Sequence, residues 1–86
     1  MPTSTSPYFV YILESLNGKY YVGITTDLER RMKEHRAGKG AKFTRGFGFR
    51  KLLYHEQFPS KSAALKREAE LKRWSHAEKK GLCKAA

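Results

Sequence analysis

The dipeptide Asn17-Gly18 separates two runs of strand-forming residues, Tyr8 to Leu13 and Lys19 to Thr25. Asn and Gly both tolerate the positive φ that tight turns demand, so this pair between two β-prone runs is a strong hairpin signal. The length of the turn then decides which side chains share a face. A two-residue loop pairs Leu16 with Lys19 and sends Tyr11 and Tyr21 to opposite faces. A three-residue loop with Gly18 left-handed pairs Ser15 with Lys19 and brings both tyrosines to one face. The sequence leaves both turns open.

Downstream the period changes. Thr26-Asp27-Leu28-Glu29 has the hydroxyl-x-x-Glu spacing of a capping box, which predicts a helix to about Arg36 with a stop near Gly38. Residues 37–49, with glycines at 38, 40, 46 and 48, read as a loop. Arg50 to Phe58 is a third strand, Pro59-Ser60 opens a helix over about Lys61 to Trp74, and Ser75 with Glu78 starts a short terminal helix. The expected architecture is a small α/β domain of order β-β-α-β-α(-α) over residues 8–80. A disordered leader is expected at 1–7 and a flexible tail at 81–86. A chain of 86 residues buries one core and encloses no large cavity, so a functional site belongs on an open face.

The charge points to a polyanion. Eighteen Lys and Arg stand against eight Asp and Glu, a formal net charge of +10. Residues 44–86 hold eleven of the basic residues and make the stronger electrostatic footprint for a phosphate backbone. One cysteine, Cys83, excludes a disulfide framework and a multi-cysteine metal cluster. The sequence reads as free of signal peptide and membrane span, so the expected compartment is cytoplasmic, with nucleoid association. His35, His55 and His76 lack metal-ligand spacing with Cys83, and Gly38-Lys39-Gly40 completes neither a dinucleotide fingerprint nor a P-loop.

Two helical positions carry charge where apolar residues are expected. Leu28, Arg31, Met32 and His35 share one face of the first helix. Ala64, Leu65, Glu68 and Leu71 share one face of the second. A carboxylate on an apolar stripe must be paired or hold a cation. Glu68 therefore either pairs with Arg31 or binds a divalent metal through its carboxylate and waters, as Mg²⁺ prefers.

These residues together resemble a known family. Val10-Tyr11-Ile12 followed by Tyr21-Val22-Gly23 resembles the two-part motif of the GIY-YIG nucleases, with Val10 in place of Gly and Val22 in place of Ile. Asp27 to Arg31 is similar to the family's helix with its arginine, and His35 matches a histidine that several branches carry. Ala64-Leu65-Lys66-Arg67-Glu68 resembles the helix bearing the metal-binding glutamate. The likeness covers about residues 8–75. The short length and Lys72-Arg73-Trp74-Ser75 are similar to the small stand-alone bacterial members of the UPF0213 group, and Ala41-Lys42-Phe43-Thr44 resembles the catalytic subunit of junction-cutting nucleases.

The resemblance implies an α/β sandwich with a three-stranded antiparallel sheet flanked by helices, Tyr11 and Tyr21 sharing its active face. It implies a metal-dependent endonuclease that hydrolyses DNA phosphodiester bonds, structure-specific and linked to DNA repair or recombination. One Mg²⁺ or Mn²⁺ would sit on Glu68, Arg31 would hold the phosphate, and Tyr11 would act as base with His35 hydrogen-bonded to it. Tyr21 would position water or phosphate, and the two tyrosine roles are exchangeable. The expected partner is DNA, duplex or branched, with RNA as a weaker candidate and a protein partner to supply specificity. Charge and composition nominate Lys42, Arg45, Arg50, Lys51, Lys66 and Arg73 for the backbone, and Phe43 or Phe47 for stacking on an unpaired base. The alternative is a basic nucleic-acid-binding module that cuts weakly or not at all and acts with a partner.

Overall fold

The computed structural model describes residues 7–85. Three strands, β1 (Tyr8–Glu14), β2 (Tyr20–Thr25) and β3 (Lys51–Phe58), form an antiparallel sheet of order β2-β1-β3. Four helices surround it: α1 (Leu28–Arg36), α2 (Lys42–Phe47), α3 (Lys61–Lys72) and α4 (His76–Ala85). Residues 1–6 of the expected leader lie outside the described residues. No helix among the described residues is long and apolar enough to cross a membrane.

The hairpin takes the three-residue loop. Ser15 N–H donates to Lys19 O at 2.8 Å, Gly18 N–H returns to Ser15 O at 3.1 Å, and Gly18 sits at φ 83°. That left-handed residue is the one the turn needs, and glycine adopts it without a Cβ penalty. The resulting register pairs Leu13 with Tyr21 and Tyr11 with Gly23, so both tyrosines face the same side.

Strand β1 is central and covered on both faces, which explains why Tyr8 to Leu13 lacks the polar alternation of a half-exposed strand. On one face Val10 and Ile12 pack with Val22, Ala64 and Leu71, beneath α3 and α4. On the other, Tyr11 and Leu13 pack with Met32, flanked by Tyr21, Leu28, Phe43, Phe49 and Leu52 from β2, α1, α2 and β3. A bulge in the β1–β3 pairing skips Leu53 between Tyr54, opposite Ile12, and Leu52, opposite Leu13.

Several local expectations are corrected. Asp27, not Thr26, caps α1, its carboxylate accepting from Arg30 N–H at 3.0 Å. Asp27 holds the extended backbone of a cap (φ −144°, ψ 95°), and a carboxylate there also answers the positive end of the helix. Residues 42–47, expected within a loop, form α2, which stops at Gly48 with φ 78°. Residues 81–85, expected as a tail, continue α4 and carry Leu82 and Cys83 onto the core. The predicted cap of α4 is complete: Ser75 N–H donates to Glu78 Oε1 at 2.7 Å and Glu78 N–H donates to Ser75 Oγ at 3.1 Å.

The apolar stripe of α3 is narrower than its spacing suggests. Ala64 and Leu71 are fully buried, whereas Leu65 is 42% exposed. Polar contacts complete the docking. Arg67 grips Glu56 of β3 with a two-pronged contact, Nε to Oε1 and Nη2 to Oε2, both at 2.9 Å. Tyr54 donates to the same carboxylate, and the Arg67 guanidinium lies 5.4 Å from the Trp74 ring. Burial alone would raise the Glu56 carboxyl, but the bonds from Arg67 and Tyr54 outweigh it and hold it below the usual carboxylate range. Two substitutions report which face of α3 is inside. Leu71→Ala is expected to cost ~2–5 kcal/mol in urea unfolding, and Leu65→Ala to stay within about 0.5 kcal/mol. Equal losses would place the core on the wrong side of the helix.

Candidate active site

The same-face register creates the site. Tyr11, on the central strand, is 2% exposed, and its ring centroid lies 6.2 Å from that of the half-buried Tyr21 on β2. Gly23, directly opposite Tyr11, makes room for it. A Cβ built on Gly23 would fall 2.5 Å from Tyr11 Oη and 2.7 Å from Tyr11 Cζ. The glycine of the second motif is thus demanded by the phenol lying across β2.

Helix α1 brings His35 onto that phenol. Its Nε2 is 2.8 Å from Tyr11 Oη, and its Nδ1 is 2.8 Å from Thr44 Oγ1 on α2. The Thr44 hydroxyl is turned toward Ala41 O at 3.3 Å. That direction assigns the rest of the chain of protons. Thr44 accepts from Nδ1–H, so Nε2 carries the lone pair and accepts from the Tyr11 hydroxyl. Gly40 closes on the imidazole from the side: a Cβ there would meet His35 Nδ1 at 2.7 Å and Cγ at 2.8 Å.

Burial dominates the electrostatics of this pair. His35 is 1% exposed, and its pKa is lowered to about 4, first by desolvation and then by the charge of Arg31, against the opposing pull of Glu34. At neutral pH it is therefore an uncharged acceptor. The Tyr11 hydroxyl is pushed well above its ordinary value by burial, and further by Tyr21, Glu68 and Glu34, while Arg31 alone opposes. The resting pair is a neutral phenol donating to a neutral imidazole.

The two charged candidates do not pair with each other. Arg31 Nη1 contacts Glu34 Oε1 at 3.2 Å and donates to Gly40 O at 3.3 Å. Its Nε is buried with no hydrogen-bond partner among the described residues. Glu68, its side chain 18% exposed, is 3.3 Å from Lys72 Nζ one helical turn on, which corrects the alternative of an Arg31–Glu68 pair. The Glu68 charge nevertheless acts on Tyr11, as does that of Arg31. No group of three or more His, Cys, Asp or Glu suited to a metal occurs among the described residues, so any ion here would rest on a single carboxylate and water.

The nucleic-acid candidates divide between the two layers. Lys42, Phe43 and Arg45 stand on α2, Phe43 with its ring 5.2 Å from that of Tyr21. Arg50 immediately precedes β3 and Lys51 opens it, Arg50 reaching Glu14 Oε1 at 3.8 Å. Lys66 and Arg73 belong to α3 and its C-cap, on the other layer, both exposed. Sequence reasoning missed Thr44, which orients His35, and Gly40 and Phe49, which flank its ring; the Phe49 ring is 6.4 Å from it and nearly parallel.

A GIY-YIG catalytic domain model matches residues 7–81. The chain belongs to the GIY-YIG family. Its GIY-YIG match spans every strand and the helices that carry Arg31, His35 and Glu68. It is 48% identical to a UPF0213 protein of Halobacterium salinarum over 75 residues, 87% of this chain and 97% of that one. A UPF0213 protein of Cupriavidus pinatubonensis is 49% identical over 88% of this chain and 84% of its own. The solution NMR structure of a UPF0213 protein from Bacillus halodurans superimposes with a TM-score of 0.59 at 46% identity, covering 92% of this GIY-YIG chain and 84% of that one. The small α/β sandwich expected from the motifs is the fold found.

The depressed His35 pKa has a thermodynamic consequence. Below pH 6.5 the unfolded chain binds a proton at this histidine that the folded chain refuses until about pH 4. Stability is therefore whole above pH 6.5 and falls through this window, by up to ~3 kcal/mol from this residue. In ¹⁵N NMR the imidazole is expected to stay neutral at pH 5.5 with the proton on Nδ1. An imidazolium signal there would refute the assignment.

Proposed function

We propose that the chain is a metal-dependent phosphodiesterase that nicks DNA. The observation that supports this reading above all is the buried Tyr11–His35–Thr44 chain, which leaves Tyr11 one acceptor ready for its proton. A tyrosine with an ordinary pKa near 10 is a poor base at neutral pH, and burial makes it poorer still. Tyr11 draws a proton from water as its own passes to Nε2 of His35, whose low proton affinity rises when a bound phosphate answers the charge of Arg31. The imidazolium then forming is held by Thr44 through Nδ1–H. Arg31 presents the unpartnered Nε and a part-exposed guanidinium, a planar donor set suited to phosphate oxygens. Its positive charge also favours the tyrosinate. Tyr21 stands at the mouth of the site and orients water or phosphate.

Glu68 is the residue that would hold one Mg²⁺ or Mn²⁺, a hard oxygen ligand for an ion that keeps most of its waters. Such an ion supplies charge neutralisation at the phosphate and the leaving oxygen. Lys72 beside Glu68 would be displaced toward solvent, where its side chain is already 55% exposed.

A second reading, a basic nucleic-acid-binding module acting with a protein partner, is favoured by one observation. The resting Tyr11 is deeply buried and firmly protonated, which suits a site that stays idle until substrate or partner reorganises it. Cleavage of labelled duplex, flap, junction and single-stranded DNA with Mg²⁺ or Mn²⁺ separates the two. Glu68→Ala is expected to lower nicking about a thousandfold and Tyr11→Phe by ~10²–10⁴, with salt-dependent binding retained. Binding without nicking on every substrate would favour the module, and competition by RNA of matched structure would assign the nucleic acid.

A further inference from the structure

Among the described residues Leu16 is 62% exposed and Phe47 42% exposed, and their backbones meet. Leu16, at the hairpin tip, donates its N–H to Phe47 O at the end of α2 at 3.2 Å. Gly48 seats the leucine: it holds φ 78°, and a Cβ there would collide with Leu16 Cδ1 at 2.6 Å. The pairing of hairpin tip and helix end is therefore built into the backbone.

Two cations touch this pair and a third stands on α2. Lys19 Nζ lies 5.3 Å from the centre of the Phe47 ring. Arg50 Nη2 donates to Leu16 O at 3.3 Å, and Arg45 is exposed on the same short helix as Phe47. The patch also leads to the site. The Phe47 ring is 5.1 Å from Phe43, edge to face, and Phe43 is 5.2 Å from Tyr21.

We propose that Leu16 and Phe47 form a stacking platform for an unpaired nucleobase, with Lys19, Arg45 and Arg50 taking the flanking phosphates, and that this platform selects nucleic acid with a gap, flap or single-stranded end. The inference rests on the reading of the neighbouring site as one that acts on DNA. An exposed aromatic ring offers a base only a π-face, which any base uses but only when out of its own stack. A fully paired duplex presents phosphates and groove edges, which satisfy the cations and leave the ring idle. The ring thus adds affinity for one substrate class and none for the other.

The test is equilibrium binding in EDTA, which keeps metal-dependent cleavage out of the measurement. The two probes are a perfect duplex and the same duplex with one unpaired 2-aminopurine at a gap. The wild-type chain is expected to prefer the gapped probe by roughly tenfold and to quench its fluorescence. Phe47→Ala is expected to bring gapped binding down to the duplex level while duplex affinity stays put, and Phe47→Trp to restore the preference. Leu16→Ala serves as the second variant and is expected to weaken the preference in the same direction. An equal loss on both probes in Phe47→Ala, or a preference that survives both alanine variants, overturns the platform. Absence of nicking in the metal-containing assay would instead count against the phosphodiesterase reading, and the gap preference is scored independently of it.

Discussion

The whole molecule hangs on a single strand buried from both sides. Alternate residues of β1 feed two separate cores, Val10 and Ile12 into one and Tyr11 and Leu13 into the other. Each core is too small to stabilise a domain alone, and sharing one strand makes them cooperate. The same strand also delivers the buried phenol at the centre of the candidate site. Stability and chemistry are therefore coupled through adjacent residues pointing opposite ways.

Burying a phenol and an imidazole together is inexpensive only because each satisfies the other. A hydroxyl left without a partner inside would cost ~1–3 kcal/mol. Tyr11, His35 and Thr44 form a directed chain that leaves no such group. Arg31 differs, since its buried Nε has no partner among the described residues. A guanidinium N–H is a strong donor, so an anion arriving there gains a contact without first breaking one. The hydrogen bonds around Tyr11 are thus satisfied, while the Arg31 guanidinium keeps one donor unused among the described residues.

Much of this was legible in the residue order, and the gaps have physical causes. The hairpin, α1, α3 and the cap of α4 followed from periodicity and local hydrogen-bond chemistry. The two-part tyrosine motif, Arg31, His35 and Glu68 followed from spacing that resembles a family. Which turn the hairpin takes did not, because Asn-Gly suits more than one and tertiary packing decides. Helix α2 was hidden by Gly46 and Gly48, which depress helix propensity in a segment held by contacts from Thr44 and Phe43. Gly40 was hidden for a different reason: what it contributes is the absence of a side chain against His35, a contact only five residues away in sequence but invisible without coordinates. Glu68 stood out as a carboxylate among apolar neighbours, yet its nearest cation proved to be Lys72, a turn along its own helix.

The three-residue hairpin loop carries an unusual evolutionary burden. Hairpin tips ordinarily accept insertions and deletions with little penalty. Here the loop works as a parity counter. Losing or gaining one residue between Ser15 and Lys19, with the three-residue turn itself kept, slips the β1–β2 register by one and exchanges the odd and even faces of the strand. Tyr21 would move beneath α3 and Val22 would take its place beside His35, while amino-acid content, sheet order and net charge hardly changed. Drift in this loop should therefore proceed in steps of two or be accompanied by a compensating bulge, so that length variation at the tip is a sensitive marker of whether a relative keeps both tyrosines on one side.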